Sequence, residues 1–255
     1  MKKTLLLSCI LAASASLIGC SEDTPKAPPK PAMSVVQESI LNSLVLSDWD
    51  TFSSNYESES FFKEAIRQKY NFTVVAPRVI SNAYKNNELA ADKKYKGKFM
   101  IIKGCLIDDI DKTLDQVSVT CRIGRWEIVG NPFLVMRENK ATEENLANVN
   151  KGETHDFFCK GDGTLLGGPV LRECRFVYEV GNETFDDVKN MVFSRPNYAE
   201  VLKKAEEVMP DTLKKTCQEN FQECHAALQK SKYKVVHDAV KLMEQQKQGA
   251  VDTKK

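Results

Sequence analysis

The stretch "FMIIKGCLIDDIDKTLDQVSVTCRI", residues 99–123, is where the hydrophobic pattern of the chain changes to a period of two. Phe99 to Ile107 reads as a strand, and Val117, Val119, Cys121 and Ile123 fall on one face of a second, because successive side chains of an extended backbone alternate between faces. The polar turn between them is centred near Thr113, equally far from Cys105 and Cys121. A hairpin therefore makes these two cysteines cross-strand neighbours, about 4.5 to 5.5 Å apart at Cα, a separation that a disulfide can bridge.

Working outward, Phe133 to Arg137 reads as a third strand, Ala141 to Val149 as a short helix capped by Thr142, and Thr154 to Cys159 and Val170 to Tyr178 as two further strands. The order β-β-β-α-β-β is that of an OB-fold, a five-stranded Greek-key barrel. Upstream, Val35 to Leu46, Ser60 to Lys69 and Val79 to Lys93 carry helical spacing, with a Ser/Asn/Tyr loop from Ser53 to Ser58. Downstream, Asn197 to Val208 ends at Met209-Pro210, Asp211 caps a segment running through Gln229, and Tyr233 to Gln246 has apolar residues at 235, 236, 239, 240 and 243. The fold class is therefore α+β: a five-stranded OB-fold barrel over 79–180, with a helical segment over 34–78 and another over 181–255.

Cys159 and Cys174 flank a Gly-Gly-Pro turn just as Cys105 and Cys121 flank theirs, so they form the second expected staple. Cys217 and Cys224 lie in a helical stretch, where an unbroken helix holds their Cα atoms about 10.5 Å apart. A bond between them requires a turn near Asn220. Zinc is not expected at these six cysteines, because no C-x₂-C pair occurs and the three histidines are scattered.

The amino terminus explains why an even set of cysteines is oxidised. Met1-Lys2-Lys3 followed by the apolar run Thr4 to Leu17 reads as a secretory signal too short to span a bilayer. Leu17-Ile18-Gly19-Cys20 resembles a bacterial lipobox, which implies cleavage before Cys20 and acylation of that residue. Acyl chains contribute about 0.8 kcal/mol per buried CH₂, so two or three of them anchor a protein durably. Ser21 at the second mature position implies sorting to the outer membrane of a Gram-negative envelope. Residues 20–33 form a tether rich in Pro and Lys, with no apolar periodicity to fold on. Without residues 1–19 the chain has 34 basic and 35 acidic side chains, which is not the balance of a nucleic-acid protein.

"NAYKNNELAADKKYKGKFMIIKGCLIDDI" resembles the opening of the tRNA_anti-like family of bacterial lipoproteins. Tyr84, Asn87, Ala91, Asp92, Tyr95, Lys96, Gly97 and Lys98 carry the resemblance, and Lys151-Gly152 and Cys159-Lys160-Gly161 match the later strands. It extends over roughly 79–178 and implies the OB-fold, not an activity, since a fold does not fix a function.

Lys93-Lys94-Tyr95-Lys96-Gly97-Lys98 pairs cations with an aromatic, as an oligonucleotide site does. However, the loop that OB ligands usually meet holds Asp108, Asp109, Asp111 and Asp115, which repel phosphate. The same loop departs from a calcium loop at Leu114 and Thr120, where Gly and Glu belong. Neither His155 with Asp156 nor Arg125 with Trp126 forms a dyad, because neighbours on a strand face opposite ways. No G-x-S-x-G, P-loop or HExxH occurs. The expectation is a non-enzymatic envelope lipoprotein without cofactor or metal, anchored through Cys20, whose barrel binds a protein, peptide or glycan through Trp126, Phe133 and Arg137. The alternatives are an oligonucleotide binder, or a hydrolase.

Overall fold

The computed structural model describes residues 33–252 apart from 114–115, 125–129 and 166, with side chains through Glu244. Cys20, the signal and the tether to Ala32 lie outside the described residues, as does Trp126. Ser34 opens α1 (Val35–Ser54) with a capping box: its hydroxyl accepts the Gln37 amide, and the Gln37 side chain accepts the Ser34 amide. The helix runs eight residues past Leu46, through part of the expected loop. Thr51, Ser53 and Ser54 turn their hydroxyls back onto carbonyls of the preceding turn, and Trp49 and Phe52 pack against other rings, so polar composition here does not end the helix.

α2 (Phe61–Tyr70) follows, capped by Ser60, and leads to a strand that sequence reasoning missed, β1 (Thr73–Val75). Three residues are too few for a period to declare itself. The helix expected over 79–93 is two helices, α3 (Pro77–Asn86) and α4 (Glu88–Tyr95). Asn87 stands extended between them and its side chain accepts the Ala90 amide, so a residue that caps a helix also breaks one.

The strands are β2 (Phe99–Thr113), β3 (Gln116–Arg122), β4 (Phe133–Met136), β5 (Thr154–Leu165) and β6 (Gly168–Phe176). They pair in the order β2-β3-β4-β6-β5 and close back from β5 onto β2, making a five-stranded barrel with β4 and β6 parallel. β1 adds a sixth strand, pairing in parallel with Met100 to Ile102 of β2. α5 (Lys140–Leu146) joins β4 to β5; Asn139, not Thr142, is its cap, while Thr142 is buried and donates to Glu179. β5 continues past Cys159 because Gly161 lies on Tyr95, where a Cβ would sit 2.2 Å from the Tyr95 carbonyl oxygen. β6 stops at Phe176 instead of Tyr178, and α6 (Val177–Phe193) starts at once, with Val177 and Val180 buried among helices.

α7 (Tyr198–Val208), α8 (Asp211–Glu219), α9 (Phe221–Lys230) and α10 (Lys234–Asp252) complete the chain. The single segment expected from Asp211 to Gln229 is broken at Asn220, which is extended and accepts the Gln222 and Glu223 amides at the start of α9. That break brings the Cα atoms of Cys217 and Cys224 to 4.6 Å, and the two are disulfide-bonded.

Two cores result. One fills the barrel, with Met100, Ile102, Ile107, Val119, Leu134, Phe157, Leu171 and Phe176, sealed by Tyr84 and Tyr95 from α3 and α4. The other lies among α1, α2 and the carboxy-terminal helices, and meets the barrel at Ile101 and Phe158, which alternate with the interior residues of β2 and β5. The barrel core contains the bonds Cys105–Cys121 and Cys159–Cys174, with Cα separations of 5.1 and 4.2 Å. In the first hairpin the partner opposite Cys121 is Ile107, not Cys105. β2 is irregular on both sides of Cys105, at Gly104 (φ +73°) and again between Ile107 and Asp109, and this brings a diagonal pair within bonding reach. In the second, Glu173 takes φ +52° at a bulge in β6, next to Cys174.

Candidate binding face

Helices cover the outside of the barrel along β2 and β5. The outer face of β3, β4 and β6 belongs to neither core. Because Val119 and Cys121 point inward, Ser118 and Thr120 point outward, and the register sets Thr120 against Phe133, Ser118 against Val135, and Phe133 against Val170 of β6. Phe133 is half-buried. Arg137 follows the end of β4, yet its amide donates to the Cys174 carbonyl at 2.7 Å, which continues the ladder and keeps it on the face of Phe133 and Val135. Val135, Gln116, Arg137, Arg172 and Glu173 line a shallow cavity of about 330 Å³ at this end. Of the three contacts expected from sequence, Phe133 and Arg137 thus share one face, four residues or about 13 Å apart along the strand. Thr120, Val135, Arg172 and Gln116 were not singled out, although the alternation that assigned Val119 and Cys121 inward already assigned Thr120 outward.

Among the described residues, four cations bordering this face are matched by carboxylates. Arg122 donates to Asp108 at 2.7 Å, Arg137 to Glu183 at 3.2 Å, Arg172 pairs with Asp162, and Lys112 lies 4.0 Å from Glu143. At the aspartate-rich loop, Lys151 pairs with Asp109, holding that carboxyl below its usual range while its own ammonium is pushed up. Elsewhere, the basic run of 93–98 is built differently from a stacking platform. Tyr95 is buried in the barrel core, Lys94 lies over its ring, Lys96 is 3.7 Å from Asp92, and Lys98 donates to the Lys93 carbonyl. The aromatic in that run is not available to a base.

His155 and Asp156, at the start of β5, bond to different partners and not to each other. Asp156 accepts the Tyr56 hydroxyl and the Gly104 amide, each at 2.6 Å, whereas the His155 Nε2 lies 3.0 Å from Glu153 and its ring stands edge-on to Phe176. Burial and the Asp156 carboxylate push the Tyr56 hydroxyl far above its ordinary range, so it stays a donor.

The family model described as tRNA_anti-like matches residues 1–175. The chain belongs to the tRNA_anti-like family. The match begins at the first residue, not at 79, so the tRNA_anti-like region includes α1 to α4 as well as the barrel, and ends one residue before the end of β6. A crystal structure from Klebsiella pneumoniae subsp. pneumoniae, of a lipoprotein to which nucleic-acid binding is ascribed, is 14% identical. It covers 42% of this chain and 92% of its own, with a TM-score of 0.35. Among curated proteins none matches significantly.

Proposed function

We propose that this tRNA_anti-like protein is a non-catalytic binding module, held on the outer membrane by acylated Cys20, with a protein, peptide or glycan lying across the outer face of β3, β4 and β6. The observation that supports this is the charge balance of that face. Phosphate backbones are bound by cations whose counterions are released, yet Arg122, Arg137, Arg172 and Lys112 already hold carboxylates. What the face offers instead is the half-buried ring of Phe133 beside the hydroxyl of Thr120, a composition suited to an uncharged strand or sugar.

Two experiments test the parts separately. Cys20→Ala moves the protein from the detergent phase to the aqueous phase and abolishes acyl labelling; labelling that persists sinks the anchor. Phe133→Ala, with Cys20 intact, weakens capture of the crosslinked envelope partner by about 2 kcal/mol, or roughly thirtyfold. Salt-dependent binding of single-stranded oligonucleotides by the unmodified chain, stronger than any envelope partner, overturns the choice of ligand.

A further inference from the structure

A second cavity, of about 330 Å³, opens on the other side of the barrel, where α1 crosses the start of β5 and α6 leaves β6. Its walls combine rings with hydrogen-bonding groups and one carboxylate: Trp49 and Tyr56 from α1 and the turn after it, Thr154, His155 and Asp156 from β5, and Tyr178 from α6. Tyr178 is 42% exposed, and its ring is held parallel to Phe176, with centroids 5.1 Å apart and planes 20° apart. Trp49 is wedged against Gly181, where a Cβ would lie 2.4 Å from the indole. The aromatic walls are therefore fixed before any ligand arrives, which spares the ordering cost of binding.

The charges select the ligand. An anion entering here meets the Asp156 carboxylate in the wall. A cation is disfavoured by Lys103, which lies outside the lining but holds its ammonium 5.7 Å from the centre of the Tyr56 ring in the wall. Asp156 is oriented by the Tyr56 hydroxyl and the Gly104 amide, and each carboxylate oxygen retains a lone pair for another donor. Thr154 and His155 add groups that donate or accept. Hydroxyls, which do both, satisfy this set, and a sugar ring presents an apolar face to an aromatic one. We infer that this cavity is a neutral-saccharide site, in which Tyr178 is the stacking platform and Asp156 accepts ring hydroxyls. It is independent of the β3, β4 and β6 face.

The chain has two tryptophans, so a Trp126→Phe background leaves Trp49 as the reporter in the wall. Titrating the N-acetylglucosamine disaccharide and, separately, maltose into the mature protein is expected to give a saturable change in Trp49 emission with at least one of them. Tyr178→Ala and Asp156→Asn weaken it about tenfold, while Tyr178→Phe and Phe133→Ala leave it intact. Tyr178 is exposed, so its truncation preserves the fold even where Asp156→Asn disturbs it. The inference is overturned by no saturable change with either sugar up to roughly 10 mM, by unchanged affinity in Tyr178→Ala, or by a response to lysine ethyl ester alone.

Discussion

Replacing Cys105 and Cys121 together by alanine lowers the unfolding free energy by about 3 kcal/mol, and replacing Cys159 and Cys174 as well roughly doubles the loss. The bonds close loops with sequence separations of 16 and 15, and chain entropy of the unfolded state sets the magnitude. Cys217–Cys224, with a separation of 7, contributes less, about 2 kcal/mol. Against a total of about 5 to 15 kcal/mol, loss of both barrel staples leaves a domain near its threshold. Urea denaturation of each double variant measures the effect. Non-reducing peptide mapping checks the premise, since cleavage between the strands leaves Cys105 and Cys121 peptides joined until reductant is added. Equal midpoints for the variant and the parent, or recovery of Cys105 joined to Cys159 or Cys174, removes the argument.

The order of the barrel strands was readable because each strand carries its own period-two record. Hydrophobic alternation at Val117, Val119 and Cys121 needs no knowledge of the partner strand. Boundaries were less readable wherever a tertiary contact overrides composition. The strand expected to end at Cys159 continues through Gly161, because the Tyr95 backbone occupies the space that a side chain there would need. Tyr178 and Glu179 follow a β-rich run, yet Glu179 accepts Thr142 and Asn145 from α5, which commits the backbone to helix. The face was half-legible for a related reason. Alternation gives a residue's side of a strand, but Phe133 and Arg137 become one surface only through β4 lying between β3 and β6. Nothing local in the sequence relates Trp49 to Tyr178, which are brought to one cavity by the crossing of α1 over the barrel end.

That crossing is tested most severely at Phe158, where the two cores touch. Phe158 is 1% exposed. Its ring stacks on Phe99 at 5.5 Å, meets Tyr70 and Phe72 at 5.1 and 6.2 Å, and carries the Arg175 guanidinium 5.5 Å from its centre. Phe158→Ala therefore removes a large apolar group from between the helices and the sheet, and leaves the buried Arg175 with Tyr70 and Glu183 as its remaining partners. Truncation of a buried phenylalanine costs about 3 to 5 kcal/mol, according to how far the site collapses. Because Met33–Lys255 form one compact unit, the loss is expected in a single transition: far-UV circular dichroism, reporting mainly on helices, and pulsed amide hydrogen exchange of the β2 and β5 peptides, reporting on the barrel, shift to the same lower urea midpoint with the same slope. Separate midpoints for the two probes mean instead that barrel and helices fold on their own and that Phe158 lies at a seam between domains. A loss below about 1 kcal/mol means that the helical layer does not depend on the barrel for its core.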